Sequence, residues 1–351
     1  MQDELDKNFL EKLKNIYSKE ELDIIFAGFK TEKRKVTFRV NTLKSSNEEI
    51  EQVLNNDNLK FEKISYLKNG YKLVDGKEKD LWDLDIFTDG KIYMQGITSQ
   101  LIGEIVMFIC SYCHPESISG SLKSKNTNYD SEINSEGQDI KILDLTAAPG
   151  GKTSHISALL ENNGEIVANE SNTIRFDKLK FTIERQGCKN VKLVKGDARE
   201  LKNTYSQGYF DIIIADLPCS AEGRINLHNE KTYKFLEKEG INKRNYKLQQ
   251  DILKHAISLL KPCGTLIYST CTLDPLENEG IVHYLLSNYQ ELEIVDINDV
   301  FKDESIKKYT KAGIKSYGKQ IYRNEVQKAV RLLPSIETEG FFVAVLKKKI
   351  S

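Results

Sequence analysis

Strand-like and helix-like segments alternate from residue 140 to the end of the chain, and this pattern limits the fold more than any other feature. The strand candidates are short apolar runs rich in β-branched residues, which favours buried positions. They cover residues 140–145, 165–169, 191–194, 210–215, 264–269 and 341–346. Helical segments such as residues 245–260 separate them. The alternation predicts an α/β fold with a doubly wound, mostly parallel sheet covered by helices on both faces.

The chain before residue 140 has a different character. Residues 1–30 carry apolar side chains at helical spacing, and residues 36–88 alternate between short strands and a helix, which predicts a small α+β module. Residues 115–139 are rich in Ser, Asn, Gly and Lys, which is typical of a loop or a disordered insertion. We therefore expect an amino-terminal module over residues 1–91 and a second domain over residues 92–351, with a flexible insertion at about 115–139.

Composition and charge exclude several classes of protein. The 351 residues carry a formal net charge of -1, so any nucleic-acid partner must contact a local patch rather than a global basic field. The amino terminus lacks the apolar core of a secretion signal, and the longest interior apolar run, residues 102–110, is too short to span a membrane. The six cysteines, at irregular spacings, are then expected to be free thiols of a cytoplasmic protein.

A basic stretch at residues 306–331 is the most promising local patch. It contains eight Lys and Arg residues opposed by Glu325, with Tyr309, Tyr317 and Tyr322 interleaved. Cations and aromatic rings together suit contacts to phosphates and stacking on bases. A solvated, flexible surface segment would show the same composition. The sequence leaves both interpretations open.

The first strand of the alternating region leads from Asp144 into a loop of small residues. Small residues and the amino terminus of the following helix leave backbone N–H groups accessible to a nucleotide-like cofactor. A tight turn that needs glycine for its geometry alone is the plain alternative. A Walker A phosphate loop is disfavoured, because that motif requires a glycine where this chain has threonine. The loop consists of Thr146, Ala147, Ala148, Pro149, Gly150, Gly151 and Lys152.

Acidic residues follow the next two predicted strands. An acid at the end of the second strand of a Rossmann-like unit accepts hydrogen bonds from ribose hydroxyls, and Glu170 has this position. Asp197 follows the third strand, where it could contact an adenine amino group. Each residue alone could be an ordinary solvated acid. Their placement after successive strands favours a cofactor site.

Two cysteines lie just past predicted strands, within the runs Asp216-Leu217-Pro218-Cys219-Ser220 and Tyr268-Ser269-Thr270-Cys271. Open α/β sheets bind ligands at the carboxyl ends of their strands. A nucleophilic role requires a site that favours thiolate, since an ordinary thiol has a pKa of about 8.5. Buried cysteines are usually inert, which is our interpretation of Cys188 and Cys263. A cofactor loop with two crevice cysteines indicates covalent chemistry on an electrophilic ring.

The string Cys110-Ser111-Tyr112-Cys113-His114 has the spacing of a haem attachment site. It lies at the end of an apolar helix in a chain without an export signal, and no second cysteine pair completes a zinc site. We therefore predict that the protein has no haem and no metal.

Several motifs together resemble the RsmB/NOP/Sun (Fmu) family of S-adenosylmethionine-dependent RNA cytosine-5 methyltransferases. The resemblance covers at least residues 92–346, and cysteines in both motifs separate this family from the DNA cytosine methyltransferases. The matching runs are Ile92-Tyr93-Met94-Gln95, Ala147–Thr153, Asp216–Ser220, Tyr268–Thr272, Glu277-Asn278-Glu279, Arg331–Pro334 and Gly340–Phe342.

The resemblance implies a class I methyltransferase fold and a role for each site residue. Cys271 would attack carbon 6 of cytosine, Cys219 would assist the later elimination, and Asp216 would hydrogen-bond the pyrimidine near nitrogen 3. Such a crevice accepts a single-stranded or flipped cytosine. S-adenosylmethionine would be held by residues from several strand ends, namely the loop Thr146–Lys152, Glu170, Arg175, Asp197 and Asp216.

The resemblance further implies an RNA substrate, with ribosomal RNA ahead of tRNA, a monomer, and no membrane partner. Residues 33–90 look like the small RRM-like, RNA-binding module that precedes the catalytic domain in this family. The chain departs from the family pattern at Gly96, Thr146 and Ala221, of which Ala221 replaces a common glycine. A different class of function, a non-catalytic RNA-binding or assembly factor that retains the fold, would be indicated by loss of Cys271, Asp216 or the loop glycines. This sequence keeps all of them.

Overall fold

The computed structural model describes residues 5–113, 139–237 and 240–350, so most of the polar segment at 115–139 lies outside the described residues. The chain forms two compact units. The glycine-loop unit contains residues 36–214 and 259–265, and the cysteine unit contains the described parts of residues 1–35, 215–258 and 266–351. The predicted division at residues 91 and 92 stays a prediction.

The strands are β1 (Thr37–Val40), β2 (Phe61–Lys63), β3 (Gly70–Leu73), β4 (Ile92–Met94), β5 (Lys141–Asp144), β6 (Glu165–Glu170), β7 (Val191–Lys195), β8 (Phe210–Asp216), β9 (Leu260–Thr270), β10 (Leu292–Val295), β11 (Thr310–Ala312), β12 (Ser316–Tyr317), β13 (Gln320–Ile321), β14 (Val330–Leu332) and β15 (Phe341–Lys348). The α-helices are α1 (Lys7–Ile16), α2 (Lys19–Lys30), α3 (Asn47–Asn56), α4 (Glu78–Trp82), α5 (Asp85–Thr88), α6 (Ile97–Cys113), α7 (Gly151–Leu159), α8 (Thr173–Gln186), α9 (Ile241–Leu259), α10 (Glu279–Asn288) and α11 (Glu304–Lys307).

The glycine-loop unit is built on a parallel sheet in the order β8-β5-β6-β7. Ile142 of β5 lies opposite Ile166 of β6 on one side and Ile212 of β8 on the other. All three isoleucines are fully buried. β-Branched residues pack well on both faces of such a covered sheet, which explains the apolar runs of the sequence. The predicted parallel α/β sheet is confirmed for these strands.

Residues 36–94 of the same unit form a four-stranded antiparallel sheet in the order β2-β3-β1-β4. Its buried face is apolar: Phe38 stacks on Tyr71, with a ring-centroid distance of 5.6 Å, and Ile50 and Leu54 of α3 pack in the same cluster. The predicted strands around residues 36–40, 61 and 71–73 lie in this sheet. The RRM-like character of this module stays a prediction.

In the cysteine unit the sheet is antiparallel, which corrects the expectation of a mostly parallel sheet. β15 pairs with both β14 and β10, and β14 pairs with β11, all in antiparallel register. The predicted strand at residues 341–346 is β15. The sequence did not indicate β10, β11 or β14, because each is only three or four residues long; in addition, β11 lies within the charged stretch at 306–331 and β14 begins at its end.

The amino-terminal helices α1 and α2 belong to the cysteine unit. Asp6 caps α1, and Ser18 with Glu21 forms a capping box at the start of α2. The apolar faces of both helices share one buried cluster with later parts of the unit: Phe9, Leu13, Tyr17, Ile25, Phe29, Ile225, Leu227, Tyr233, Leu273 and Leu333. Helix-forming signals and an apolar stripe thus fix residues 5–30 on this unit.

A substitution in α1 tests this packing. Leu13 is fully buried, so Leu13→Ala is expected to lower the free energy of unfolding by about 3 kcal/mol through lost burial and the cavity left behind. The measurement is urea unfolding followed by circular dichroism. Lys14→Ala, at an exposed neighbouring position, is the matched control and is expected to unfold like the wild type. Equal stability of the two variants would contradict the assigned packing.

Candidate active site

The loop of small residues Thr146–Lys152, which we call the glycine loop, connects β5 to α7 and includes the first residues of that helix. Gly150 caps α7 with φ of 103°, a left-handed backbone conformation that favours glycine. A Cβ atom on Gly151 would lie 3.0 Å from the Tyr93 ring, so this position is also too crowded for a side chain without adjustment. At the base of the loop, the Thr153 hydroxyl donates a hydrogen bond of 2.7 Å to the buried Asp144 carboxylate. The loop is therefore a rigid turn that leads into a helix amino terminus.

Glu170 lies at the carboxyl end of β6, and the structure brings it together with the glycine loop. Its Oε1 accepts a hydrogen bond from the Asn172 N–H at 2.9 Å. Its Oε2 is buried and has no hydrogen-bond partner within the described parts of the chain. The Arg175 Nε lies 3.4 Å from Oε2, and its Nη2 donates to the Ala148 carbonyl at 2.8 Å. Arg175 therefore links the acid to the loop.

Glu170 Oε2 faces the Arg175 guanidinium but receives no hydrogen bond, and a ligand that supplies a donor would lower the cost of burying this oxygen. Ribose hydroxyls are such donors, and an acid at this strand end is where Rossmann-like units bind them. The start of α7 offers N–H groups to a further polar group. The residues of this edge therefore fit a nucleoside-containing cofactor.

Asp197 is also at this edge of the sheet. It lies two residues past β7, and the adjacent Gly196 N–H donates to the Glu170 carbonyl at 3.2 Å. The Asp197 carboxylate is held by its neighbour Arg199, with an Nε–Oδ1 distance of 2.9 Å. The Asp197 side chain is 41% exposed, so a ligand can reach its carboxylate. The acids predicted after successive strands therefore lie on adjacent strand ends.

In the cysteine unit, Cys219 and Cys271 are brought together, with 3.4 Å between their sulfur atoms. Both are partly buried. The hydrogen bond to Cys271, followed by burial, raises the pKa of Cys219 well above its usual value. Cys219 is therefore held as a neutral thiol at physiological pH.

Asp216 ends β8 beside the end of β9. Its Oδ1 accepts a hydrogen bond from the Ser269 hydroxyl at 2.9 Å, and the Leu217 N–H donates to the Ser269 carbonyl at 3.3 Å. The two strand ends are thus joined immediately before the two cysteine-bearing loops. Asp216 is the last residue of β8, and Cys219 and Cys271 lie just past the carboxyl ends of β8 and β9, where the sequence predicted them.

The chain just after Cys271 forms a buried polar support that sequence reasoning did not interpret. Glu277 accepts hydrogen bonds from the Ser220 N–H and from Gln249 Nε2, the latter at 3.0 Å. Asn278 accepts from the Thr270 hydroxyl at 2.6 Å. All three residues of the run Glu277-Asn278-Glu279 are fully buried. The sequence analysis recognised this run as a family motif but assigned it no role. The one feature that could have indicated a buried support is the presence of three polar residues where a helix begins.

Glu279 is paired with Arg331 in the interior of the unit. The Arg331 guanidinium contacts both Glu279 oxygens, with an Nε–Oε1 distance of 2.6 Å, and donates to the Tyr17 hydroxyl at 2.8 Å. Arg331 is 1% exposed, and Tyr309 and Tyr322 are also buried. Both interpretations of the stretch at 306–331 placed these three residues at the surface, and for these residues both are wrong. Their place in the fold is structural.

Burial raises the pKa of Glu277 to about 8, and the nearby carboxylates of Asp274 and Glu222 add to the shift. Burial likewise raises the pKa of Glu222 to about 7. These carboxyl groups are crowded into one buried region, so the site holds protons that ordinary carboxylates would release.

Among the residues that the structure describes, no group of three or more His, Cys, Asp or Glu side chains is placed to hold a metal ion. No helix in the described ranges is both long and apolar enough to cross a membrane.

The chain is similar in sequence to a family of known methyltransferases. Residues 132–347 match the family described as 16S rRNA methyltransferase RsmB/F. The chain is 36% identical over 249 residues to a tRNA (cytosine(72)-C(5))-methyltransferase of Pyrococcus horikoshii, covering 70% of this chain and 55% of that protein. It is 29% identical over 315 residues to a ribosomal RNA small subunit methyltransferase F of Shewanella denitrificans, covering 90% of this chain and 55% of that protein. The chain thus spans about half the length of these relatives.

The fold is shared as well. A crystal structure of a methyltransferase homolog protein from Pyrococcus horikoshii superposes with a TM-score of 0.69 at 26% identity, over 98% of this chain and 100% of that one. The fold is therefore that of an α/β methyltransferase. The match over most of the chain shows that the protein belongs to the RsmB/F methyltransferase family. Members of this family use S-adenosylmethionine as the methyl donor.

The raised pKa of Glu277 predicts a pH-dependent stability. A carboxyl group with an ordinary pKa of about 4.3 in the unfolded chain and a higher one in the fold stabilises the fold at low pH, and this stabilisation is lost as the pH rises through the folded value. The melting temperature of the wild type should therefore fall, relative to Glu277→Gln, between pH 5 and about 8. Gln has the shape of the protonated acid. A constant difference in melting temperature over this range would contradict the assignment.

Ala221 has φ of 56° and ψ of 26°, which is the left-handed helical region. An L side chain is strained there by roughly 1 kcal/mol. Ala221→Gly is therefore expected to raise the free energy of unfolding by about 0.5–1 kcal/mol, measured by urea unfolding. Ala344→Gly, in the buried strand β15, is the control and should lower it. A loss of stability in Ala221→Gly would argue against the assigned backbone conformation.

Proposed function

We propose that this protein transfers a methyl group from S-adenosylmethionine to carbon 5 of a cytosine in RNA, through a covalent bond between Cys271 and the base. The observation that carries the proposal is the pair of cysteine sulfurs 3.4 Å apart, just past the ends of β8 and β9. Cytosine is a poor carbon nucleophile until a thiolate adds to its ring, and release of that thiolate is a separate chemical step. Two adjacent thiols can meet both requirements, one by adding to the ring and the other by assisting the release.

The glycine-loop unit is the proposed site for S-adenosylmethionine, which supplies an electrophilic methyl group on a sulfonium sulfur. The unsatisfied Glu170 oxygen would accept hydrogen bonds from the ribose hydroxyls. Arg175 would fix the loop against Glu170, and Asp197 would contact the adenine amino group. The loop residues that complete the site are Thr146, Ala147, Ala148, Pro149, Gly150, Gly151 and Lys152.

In the proposed reaction the Cys271 thiolate forms a bond to carbon 6, which gives carbon 5 the electron pair that attacks the methyl group. Asp216, fixed by Ser269, would hydrogen-bond the ring near nitrogen 3 and orient it. A water molecule then accepts the proton from carbon 5, the electron pair restores the ring double bond, and the bond between carbon 6 and the Cys271 sulfur breaks. The Cys219 thiol, whose pKa is raised, would assist this elimination by donating its proton to the departing Cys271 sulfur, and it would regain a proton from solvent after the RNA is released.

The proposed substrate is structured RNA, with ribosomal RNA ahead of tRNA; two relatives are named for these substrates. The target cytosine must leave its stack to reach the sulfurs. The β12–β13 hairpin offers a contact for flanking nucleotides, since Lys315, Lys319 and Ile321 are exposed there. Residues 1–91, with the RRM-like module at 33–90, and the catalytic domain over 92–351 are the proposed functional division. We propose a monomer that acts in the cytoplasm.

The test is incubation of the protein with labelled S-adenosylmethionine and either rRNA or tRNA. The wild type should form 5-methylcytosine, Cys271→Ala should lose at least about a thousandfold in rate because no covalent addition occurs, and Cys219→Ala should accumulate a denaturant-resistant protein–RNA adduct. Cys263→Ala, another free cysteine, is the matched control and should behave as wild type.

Methylation by Cys271→Ala would overturn the assignment of the nucleophile. An adduct in the double variant Cys219→Ala, Cys271→Ala would overturn the division of roles between the two sulfurs. RNA binding without methyl transfer by the wild type would favour a non-catalytic RNA-binding factor. The labelled RNA species would identify the substrate.

A further inference from the structure

A lysine of the amino-terminal helix α1 reaches both cysteine-bearing loops. We define the first cysteine loop as residues 217–224 and the second as residues 271–279. The Lys12 ammonium contacts Glu222 Oε1 of the first loop and lies 2.8 Å from Asp274 Oδ2 of the second. The side-chain exposures of the three residues are 12%, 4% and 2%, so the ion pairs are shielded from water. Glu222 lies three residues after Cys219 in the chain, and Asp274 lies three residues after Cys271, so Lys12 contacts one carboxylate near each cysteine.

The two loops are also joined directly, next to the residues that Lys12 contacts. The Gly223 N–H, adjacent to Glu222, donates a hydrogen bond of 2.9 Å to the Cys271 carbonyl. The hydroxyls of Ser220 and Thr272 are 2.6 Å apart. The carbonyl of the Cys271 residue is therefore held by the first loop, and a shift of that loop would move Cys271 relative to Cys219.

Electrostatics makes the lysine necessary for this arrangement. Glu222 and Asp274 are buried and repel each other, and Glu222 Oε2 has no hydrogen-bond partner in the described part of the structure. Burial opposes the charge of Lys12, yet the two carboxylates outweigh it and raise its pKa above the usual value. Without the ammonium, two buried carboxyl groups would face each other and the loops would separate or take up protons.

We propose that Lys12 is a positioning residue, which clamps the first and second cysteine loops together and so sets the spacing of the Cys219 and Cys271 sulfurs. This inference rests on the proposed function for its catalytic consequence. Lys12 contacts neither sulfur in the structure, and its effect acts through Glu222 and Asp274. Within the proposed division, α1 belongs to residues 1–91 and also supports the cysteine loops of the catalytic domain.

The experiment compares Lys12→Met, Lys12→Arg and the exposed control Lys14→Met in the full chain. The first readout is binding of phenylarsine oxide, whose arsenic bonds two close thiols with release of water, and it needs no methyl transfer. The wild type should bind it through the cysteine pair, as shown by loss of binding in Cys271→Ala. Lys12→Met should weaken this binding at least about tenfold, since small displacements of positioned groups have large effects. Lys12→Arg and Lys14→Met should stay within about threefold of wild type.

The second readout is methyl transfer. Lys12→Met should lower kcat at least about tenfold while KM for S-adenosylmethionine stays unchanged, and Lys12→Arg should restore kcat. If Lys12→Met does not fold, Glu222→Gln replaces it, and this variant should weaken arsenical binding in the same direction. A folded Lys12→Met or Glu222→Gln protein that binds phenylarsine oxide like the wild type would overturn the inference. If the wild type transfers no methyl group, the proposed function fails, but arsenical binding still decides the role of Lys12.

Discussion

The cysteine site depends on the junction between the ends of β8 and β9. Ser269 of β9 both accepts the Leu217 N–H and donates its hydroxyl to Asp216, so the two strand ends stay in contact just before each cysteine loop begins. From this junction the loops run side by side, and the sulfurs of Cys219 and Cys271 come within 3.4 Å. Cys219 and Cys271 are separated by 52 positions in the sequence, and hydrogen bonds between neighbouring strand ends bring the two loops that carry them side by side.

The junction is surrounded by buried charge, and this charge has to be balanced. Arg331 neutralises Glu279, Lys12 lies between Glu222 and Asp274, and burial holds Glu277 as an acid with a pKa of about 8. Removing one member of a buried ion pair is strongly destabilising, since it leaves an uncompensated charge behind. The polar run after Cys271 thus holds the first and second cysteine loops in one geometry. Because it contains buried titratable groups, the free energy of unfolding depends on pH.

The sequence predicted the parallel part of the fold and the position of the site, because apolar strands and the residues that follow them are local signals. Gly150, Glu170 and Cys271 lie at or just after the ends of strands, and the apolar pattern of each strand is enough to predict where it ends. The antiparallel strands β10, β11 and β14 were missed, since strands of three or four residues are too short to show a periodic signal. Arg331 was misread as a surface cation, because burial depends on a partner 52 positions away and composition cannot reveal it. Lys12 was missed for the same reason.

The central claim is that Cys271, rather than Cys219, bonds to the base. The most direct measurement uses RNA in which 5-fluorocytosine replaces cytosine, because fluorine at carbon 5 blocks the elimination that frees the enzyme. After reaction with S-adenosylmethionine, proteolysis and mass spectrometry locate the attached nucleotide. If Cys271 is the nucleophile, the added mass lies on the peptide that contains Cys271. Attachment to the peptide that contains Cys219, or an unmodified Cys271 after complete methyl transfer, would contradict it.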